Sequence, residues 1–386
     1  MTDPVEAFRA MAIGQLAHAL AAEGRAIIHM EYGQPSTSAP APALAVARGL
    51  IDTDALGYWE SAPLKARIAR HYAETAGVEV APERIILTCG ASPALVLALA
   101  SAFAPGDQVA LARPGYVAYR NTLRALHMVP VEIGCGPETR YQLSAAQIAA
   151  LDPAPAGLIL ASPANPTGTI LPPAELAAIA AVCAARGIRI VSDEIYHGLS
   201  FGLPTQTVLA HAPDALVVNS FSKYFSMPGW RLGWLVAPAD LAQAAYARMS
   251  NLFLTPPVLS QHAGLAAFDG QAELEGHIAT YAANRALMLA ALPRLQLSTI
   301  APPDGAFYIW ADIAHLLAPG ENSMDFAIAL LRETGVATAP GLDFDPVEGG
   351  HFLRFSFAVA TPLVAEAIER MVPFFAARAR PEGAPL

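Results

Sequence analysis

Lysine is nearly absent from the chain. Of 23 basic side chains in 386 residues, only Lys65 and Lys223 are lysines, and the rest are arginines. Arginine serves well as a surface cation but does not form imines under ordinary conditions, so a lysine kept in such a background is a candidate for amine chemistry. Cysteine is scarce as well. Cys89, Cys135 and Cys183 lie more than forty residues apart, which excludes CxxC metal spacing and a disulfide framework and fits a reducing cytoplasm. No metal site is expected. The sequence has no Lys/Arg run and a net charge of -10, which excludes the electrostatic footprint of a nucleic-acid binder. Neither GxGxxG nor GxxxxGK[ST] occurs, so the common dinucleotide and P-loop readings lose their support. The longest uncharged apolar stretch, Pro93–Pro105, is too short to span a bilayer, and MTDPVEAFRAMAIGQ puts acids where a signal peptide carries positive charge. Nucleic acid and membrane are both set aside as partners.

What is present is hydrophobic and long. Apolar residues make up 54% of the chain against 15% charged, and 386 residues predict about two domains with sizeable cores. From about Arg84, short β-branched or apolar runs alternate with Ala/Leu-rich helical segments, the pattern of an α/β domain whose mostly parallel sheet is flanked by helices. Seven strands are predicted: Ile85–Thr88, Gln108–Ala112, Val129–Ile133, Gly157–Ala161, Ile188–Asp193, Ala215–Asn219 and Arg231–Val236. Helices are predicted at Pro93–Phe103, Tyr116–Leu126, Ala174–Arg186 and Asp240–Ser250. Beyond a helix at Gly270–Leu292 the pattern turns to a mixed α+β tail, with strands at Phe307–Ala311 and Phe352–Phe357. The expected division is a large domain over residues 46–285 and a smaller α+β domain built from 1–45 and 286–386, the Pro-rich QPSTSAPAPA crossing a surface as part of an N-terminal arm.

Chemistry-bearing residues gather at the carboxyl ends of these strands. Ser220-Phe221-Ser222-Lys223 follows the strand ending at Asn219, with Arg231 eight residues after the lysine. That edge is where open α/β sheets bind ligands, and hydroxyls with an arginine suit a phosphate. Lys65, in APLKARIARHYAE, reads instead as part of a solvated helix face. Ser162-Pro163-Ala164-Asn165-Pro166-Thr167-Gly168 reads as a tight turn, Asp193 ends a strand three residues before Tyr196, and Thr88-Cys89-Gly90-Ala91-Ser92 leaves a strand for a helix whose first amides are free. An amine, an acid, hydroxyls, an arginine and free amides converging on one edge suit a phosphorylated pyridine aldehyde.

With Glu31-Tyr32-Gly33-Gln34-Pro35, ANPTG, SDEIY, SFSKYFSMPGWRLGW and Arg354-Phe355-Ser356-Phe357, the sequence resembles the pyridoxal-phosphate-dependent aminotransferases of fold type I, in the class I/II group, over nearly its whole length. The resemblance implies pyridoxal 5'-phosphate as cofactor, held by Lys223 as an internal aldimine, with Lys223 also moving the proton on the substrate carbon. It implies that Asp193 pairs with the pyridine nitrogen, that Asn165 and Tyr196 bond the phenolate oxygen and that Tyr116 stacks on the ring. Ala91, Ser92, Ser220, Ser222 and Arg231 would hold the phosphate, with Tyr58 reaching in from a neighbouring subunit of a homodimer. Arg354 would grip the substrate carboxylate with Asn165 and Gly33. The leading reading is a ping-pong transfer from an L-amino acid to a 2-oxo acid. A lyase or decarboxylase on the same fold and a non-catalytic cofactor-binding regulatory domain are the alternatives. Pocket segments are expected at Glu31-Tyr32-Gly33, Asn251-Leu252-Phe253-Leu254 and Gly305-Ala306-Phe307-Tyr308, none of which supplies a cation for a second carboxylate. A neutral, apolar or aromatic substrate follows, with Arg113 the one arginine able to swing in.

Overall fold

A computed structural model of the chain describes residues 5 and 7–379. It opens with α1 (Arg9–Ala22), a two-residue strand β1 (Ile28–His29), α2 (Ala41–Ile51) and α3 (Ala62–Ala76). There follow β2 (Ile85–Thr88), α4 (Ala91–Ala102), β3 (Gln108–Arg113), α5 (Val117–Ala125), β4 (Val129–Gly134), α6 (Ala145–Ala149), β5 (Gly157–Ala161), α7 (Pro173–Arg186), β6 (Arg189–Asp193), β7 (Leu216–Ser220) and β8 (Gly233–Val236). Helices α8 (Ala239–Leu252), α9 (Val258–Ala267) and α10 (Gln271–Ala291) lead to β9 (Tyr308–Asp312), α11 (Ser323–Thr334), β10 (Val336–Ala337), β11 (Ala339–Pro340), β12 (Phe352–Ser356) and α12 (Thr361–Arg378). Among the described residues no helix is long and apolar enough to cross a membrane.

The expected seven-stranded sheet is present in the order β2-β8-β7-β6-β5-β3-β4. Only β8 runs antiparallel to its neighbours. Side chains on successive residues point to opposite faces of a strand, and the core divides accordingly. Ile85, Leu87, Leu158, Leu160, Ile190 and Val217 pack on one face. Ile86, Ile159, Val191, Leu216 and Val218 pack on the other. A sheet covered on both faces needs continuous apolar runs, and β2 and β7 are buried from end to end. Each fully buried aliphatic side chain contributes about 1.5–3 kcal/mol relative to exposure.

A smaller sheet, β11-β12-β9, anchors a separate core in which Ile13 and Ala17 of α1 meet Ile309, Phe355, Phe326 and Phe375. Helix α10 ties the two cores together, since Leu274 belongs to the large one and Tyr281 and Met288 to the small one. Several boundaries shift by a residue or two from expectation, and two of the shifts have a local cause. Helix α4 begins at Ala91, two residues before Pro93, which the fixed φ of proline tolerates in a first turn. Strand β8 begins only at Gly233, because Arg231 sits at φ 51 in the left-handed region and cannot extend the strand.

Candidate active site

Strand register brings the chemistry level. Ala161 pairs with Asp193, Asp193 with Val218, and Thr88 and Ser220 both pair with Gly233, so the carboxyl ends of β2, β5, β6 and β7 share one edge. Over that edge lies a cavity of about 550 Å³, closed from above by residues of the small sheet and of the N-terminal segment. Lys223, Asp193, Tyr196, Asn165, Tyr116, Ala91, Ser92, Ser222, Arg231, Gly33 and Arg354 all line it. Two expected residues do not. Ser220 is buried beneath the wall, where its hydroxyl accepts the Ser222 amide at 3.1 Å and so shapes the loop that carries Lys223. Tyr58 is 85% exposed and stands outside this cavity.

The Lys223 amine donates to the Gly33 carbonyl. Burial, together with the Arg354 charge, lowers its pKa from 10.5 to about 8, although Asp193 acts in the opposite direction. Lys65 has a different setting, an ion pair with Glu60 at 2.7 Å on α3, so its amine is engaged away from the cavity. Asp193 accepts the Ile195 amide at 3.1 Å and the Tyr119 hydroxyl at 2.7 Å. Burial pushes the Asp193 carboxyl above the ordinary range, against these two hydrogen bonds and the Lys223 charge. A cation placed beside it would favour the carboxylate further. Tyr196 shares a hydrogen bond of 2.6 Å with Tyr308, and burial raises it well above the usual phenol range, so it is a neutral hydroxyl.

Arg354 lies against the rings of Tyr308 and Phe344, whose centres lie 4.5 and 4.7 Å from its guanidinium carbon. It donates to Asn165 at 2.8 Å and to the Glu31 carbonyl, while its buried Nε has no partner among the described residues. A positioned guanidinium with spare donor capacity is suited to a carboxylate. The Asn165 turn is locked by Gly168 at φ 72, where an added Cβ would come within 3.0–3.1 Å of the Gly305 and Tyr308 carbonyls. At Gly33, likewise, a Cβ would strike the Tyr308 hydroxyl.

Sequence reasoning missed Tyr119, Phe344 and Asp343, and it missed the N-terminal residues Phe8, Ala10 and Met11, all on the cavity wall. For Tyr119 a signal existed, because it lies three residues after Tyr116 and so on the same helical face. The others arrive from distant segments with no local pattern. Of the expected pocket segments, Glu31-Tyr32-Gly33 and Tyr308 are on the wall, whereas Asn251-Leu252-Phe253-Leu254 is not; Leu252 and Leu254 are 61% and 51% exposed on the outer surface. Arg113 does not swing in. It pairs with Asp345 at 3.1 Å.

Residues 51–371 match the family model described as aminotransferase class I and II. The chain is 45% identical to a valine–pyruvate aminotransferase of Mycobacterium tuberculosis, over 89% of this chain and 90% of that one. It also superposes on the crystal structure of an aminotransferase from Mycobacterium tuberculosis with a TM-score of 0.94 at 43% identity, covering 97% of each. Aspartate aminotransferase from Thermus thermophilus with maleate gives a TM-score of 0.89 at 28% identity, over 96% and 97% of the two chains.

Proposed function

The chain belongs to the class I and II aminotransferases, and from that premise we propose that it uses pyridoxal 5'-phosphate, bound through Lys223, to move amino groups between neutral apolar L-amino acids and 2-oxo acids. The residues present fit that cofactor. The first turn of α4 offers amides at Ala91 and Ser92 with no side-chain cap of their own, and Ser222 and Arg231 adjoin them on the wall. A Cβ at Gly90 would lie 2.5 Å from Arg231, so the glycine keeps room for the guanidinium beside those amides. When bound, the cofactor supplies an aldehyde that accepts amino groups and an electron-poor ring that takes up the electron pair released at the substrate's α-carbon.

The protein's own groups do the rest. Asp193, steadied by Tyr119 and the Ile195 amide, provides the negative charge for the ring nitrogen. Asn165 and Tyr196 place an amide and a neutral hydroxyl for the phenolic oxygen, and Tyr116 presents its ring in the same cavity. Arg354 fixes the substrate's carboxylate and with it the direction in which the α-hydrogen points. The Lys223 amine, with a pKa of about 8, is a base matched to neutral pH and can take a proton at one carbon and return it at another.

Substrate choice rests on one observation: Arg231 and Arg354 are the only arginines on the cavity wall among the described residues, and each already has a partner in this scheme. A distal carboxylate would be buried without a cation, which is costly. The name of the 45% identical relative, a valine–pyruvate aminotransferase, supports the same choice. A cytoplasmic setting is supported by three unpaired cysteines. A homodimer is supported by the outer surface around Tyr58. Thr255 and Gln261 bond the Trp59 carbonyl at 2.8 and 2.9 Å and Lys65 lies over Tyr246, which gathers Tyr58, Trp59, Tyr246, Leu252 and Leu254 into one exposed apolar neighbourhood.

The test is a donor panel run as single half-reactions, followed by the cofactor's absorbance. Valine, leucine, methionine and phenylalanine should react, and Lys223→Ala should abolish turnover. A tenfold higher efficiency with aspartate or glutamate than with these donors would overturn the substrate reading.

A further inference from the structure

Besides the core contacts of Ile13 and Ala17, the start of α1 is tied to the cavity wall by a carboxylate. Asp343, 3% exposed, accepts the Arg9 amide at 2.7 Å with Oδ1 and the Ala10 amide at 2.6 Å with Oδ2. These are the first two residues of α1, whose preceding residue, Phe8, gives no side-chain cap and whose first turn holds no acid. A helix start leaves its first amides without partners and carries partial positive charge, so a carboxylate there is a strong anchor. Here the anchor comes from 333 residues away in the chain.

The consequence is local to the substrate. Phe8, Ala10 and Met11 line the same cavity as Lys223 and Arg354. The Phe8 ring lies 6.0 Å from that of Tyr116. Ala10 packs on the cluster of Trp310 and Phe344, and Phe344 stacks on Arg354. Further along α1, an added Cβ at Gly14 would strike the hydroxyl of Tyr32, itself on the wall. Nothing in Arg9 or Ala10 contributes chemistry. Their neighbours on either side, Phe8 and Met11, are apolar side chains on the cavity wall, and Met11 is 59% exposed.

We infer that Asp343 is a positioning residue for substrate discrimination: by capping α1 it fixes Phe8 and Met11 as the wall against which the substrate's side chain is selected. The inference rests on the reading of the substrate as a neutral apolar amino acid. Small donors do not reach such a wall, whereas branched and aromatic ones gain contact area from it, because apolar surface buried against it leaves water.

The experiment compares Asp343→Ala and the double variant Phe8→Ala/Met11→Ala with the parent, as cofactor-loaded enzymes. In both, efficiency with leucine should fall at least tenfold relative to efficiency with alanine. Combining all three substitutions should lower that ratio no more than twofold further, since the anchor and the wall act as one unit. Limited trypsin digestion followed by mass spectrometry gives an independent readout: cleavage after Arg9, which is exposed, should be at least fivefold faster in Asp343→Ala. Equal loss for leucine and alanine, additive losses, or an unchanged cleavage rate would overturn the inference. If Asp343→Ala does not fold, an unchanged leucine-to-alanine ratio in Phe8→Ala/Met11→Ala overturns it alone. Failure of the substrate reading is distinguishable, because the whole panel of neutral donors would then be inert in the parent while cleavage after Arg9 still reported on the anchor.

Discussion

An ammonium held in a partly enclosed cavity is disfavoured relative to water, and Lys223 carries that strain. Its pKa falls from 10.5 to about 8, so below pH 8 folding must hold a proton that the cavity resists. Replacing it by an apolar side chain of similar length should remove the penalty. Lys223→Met is therefore expected to abolish activity yet stabilise the cofactor-free protein by about 2–3 kcal/mol at pH 7, a figure reduced from the full linkage value because the cavity is open to water. The sign with pH follows from proton uptake. Between pH 8 and 10.5 the unfolded chain holds the proton and the folded chain has lost it, so the parent gains stability as pH rises and the gap to Lys223→Met closes. Denaturant titrations at pH 7 and pH 10 check this, and a variant no more stable than its parent at pH 7 would show a well-solvated amine. The scarcity of lysine made Lys223 visible from sequence, and the strand ends made Asp193 visible. Tyr119 was overlooked because a tyrosine in a helix is more often packing than chemistry, and Asp343 because its partners lie at the far end of the chain.

At the scale of elements, apolar or β-branched runs identified all seven strands of the large sheet, most plainly those buried on both faces such as β2 and β7, while the edge strand β4 is only partly buried. The small sheet was only partly legible. Two-residue strands such as β11 have no periodicity to read, and β1 pairs with β10 across three hundred residues of sequence. Turn geometry was also hidden, as with the left-handed Arg231. The link between β2 and α4 shows how such geometry serves the site. Gly90 adopts φ 95 and ψ 179, a region that a side chain makes costly, and an added methyl would lie 2.9 Å from the Arg231 guanidinium carbon. Gly90→Ala should thus displace Arg231 from the end of the cavity proposed to hold phosphate and strain the backbone by about 1–3 kcal/mol. The expected outcome is at least tenfold weaker binding of pyridoxal 5'-phosphate, read by equilibrium dialysis, with a lowered melting temperature. Unchanged affinity would remove Arg231 from the proposed phosphate site.

Across the whole molecule, the cavity of one chain has an amine, an acid and two arginines but lacks the phenol of Tyr58, which stands 85% exposed among other apolar residues. An exposed apolar neighbourhood of this kind is a candidate interface, and a two-fold dimer would bring the same patch from each subunit to the other. If Tyr58 reaches the partner's cavity, the site is shared and defects in it can be separated between subunits. Lys223→Ala disables the site of its own chain, whereas Tyr58→Ala weakens the site of its neighbour. A mixed dimer then contains one site with both residues intact and one with both lost. Unfolding and refolding an equal mixture of the two variants should recover about a quarter of parental activity, because half of the randomly formed dimers are mixed and each carries one working site of two. Refolded alone, Lys223→Ala should be inactive and Tyr58→Ala should require a higher cofactor concentration. Leu252→Arg/Leu254→Arg, which places charge on the same surface, should shift sedimentation toward the monomer and lower activity in parallel. A fully active monomer, or a mixture no more active at low cofactor concentration than its Tyr58→Ala component, would confine the site to one chain and leave the exposed surface around Tyr58 without a catalytic role.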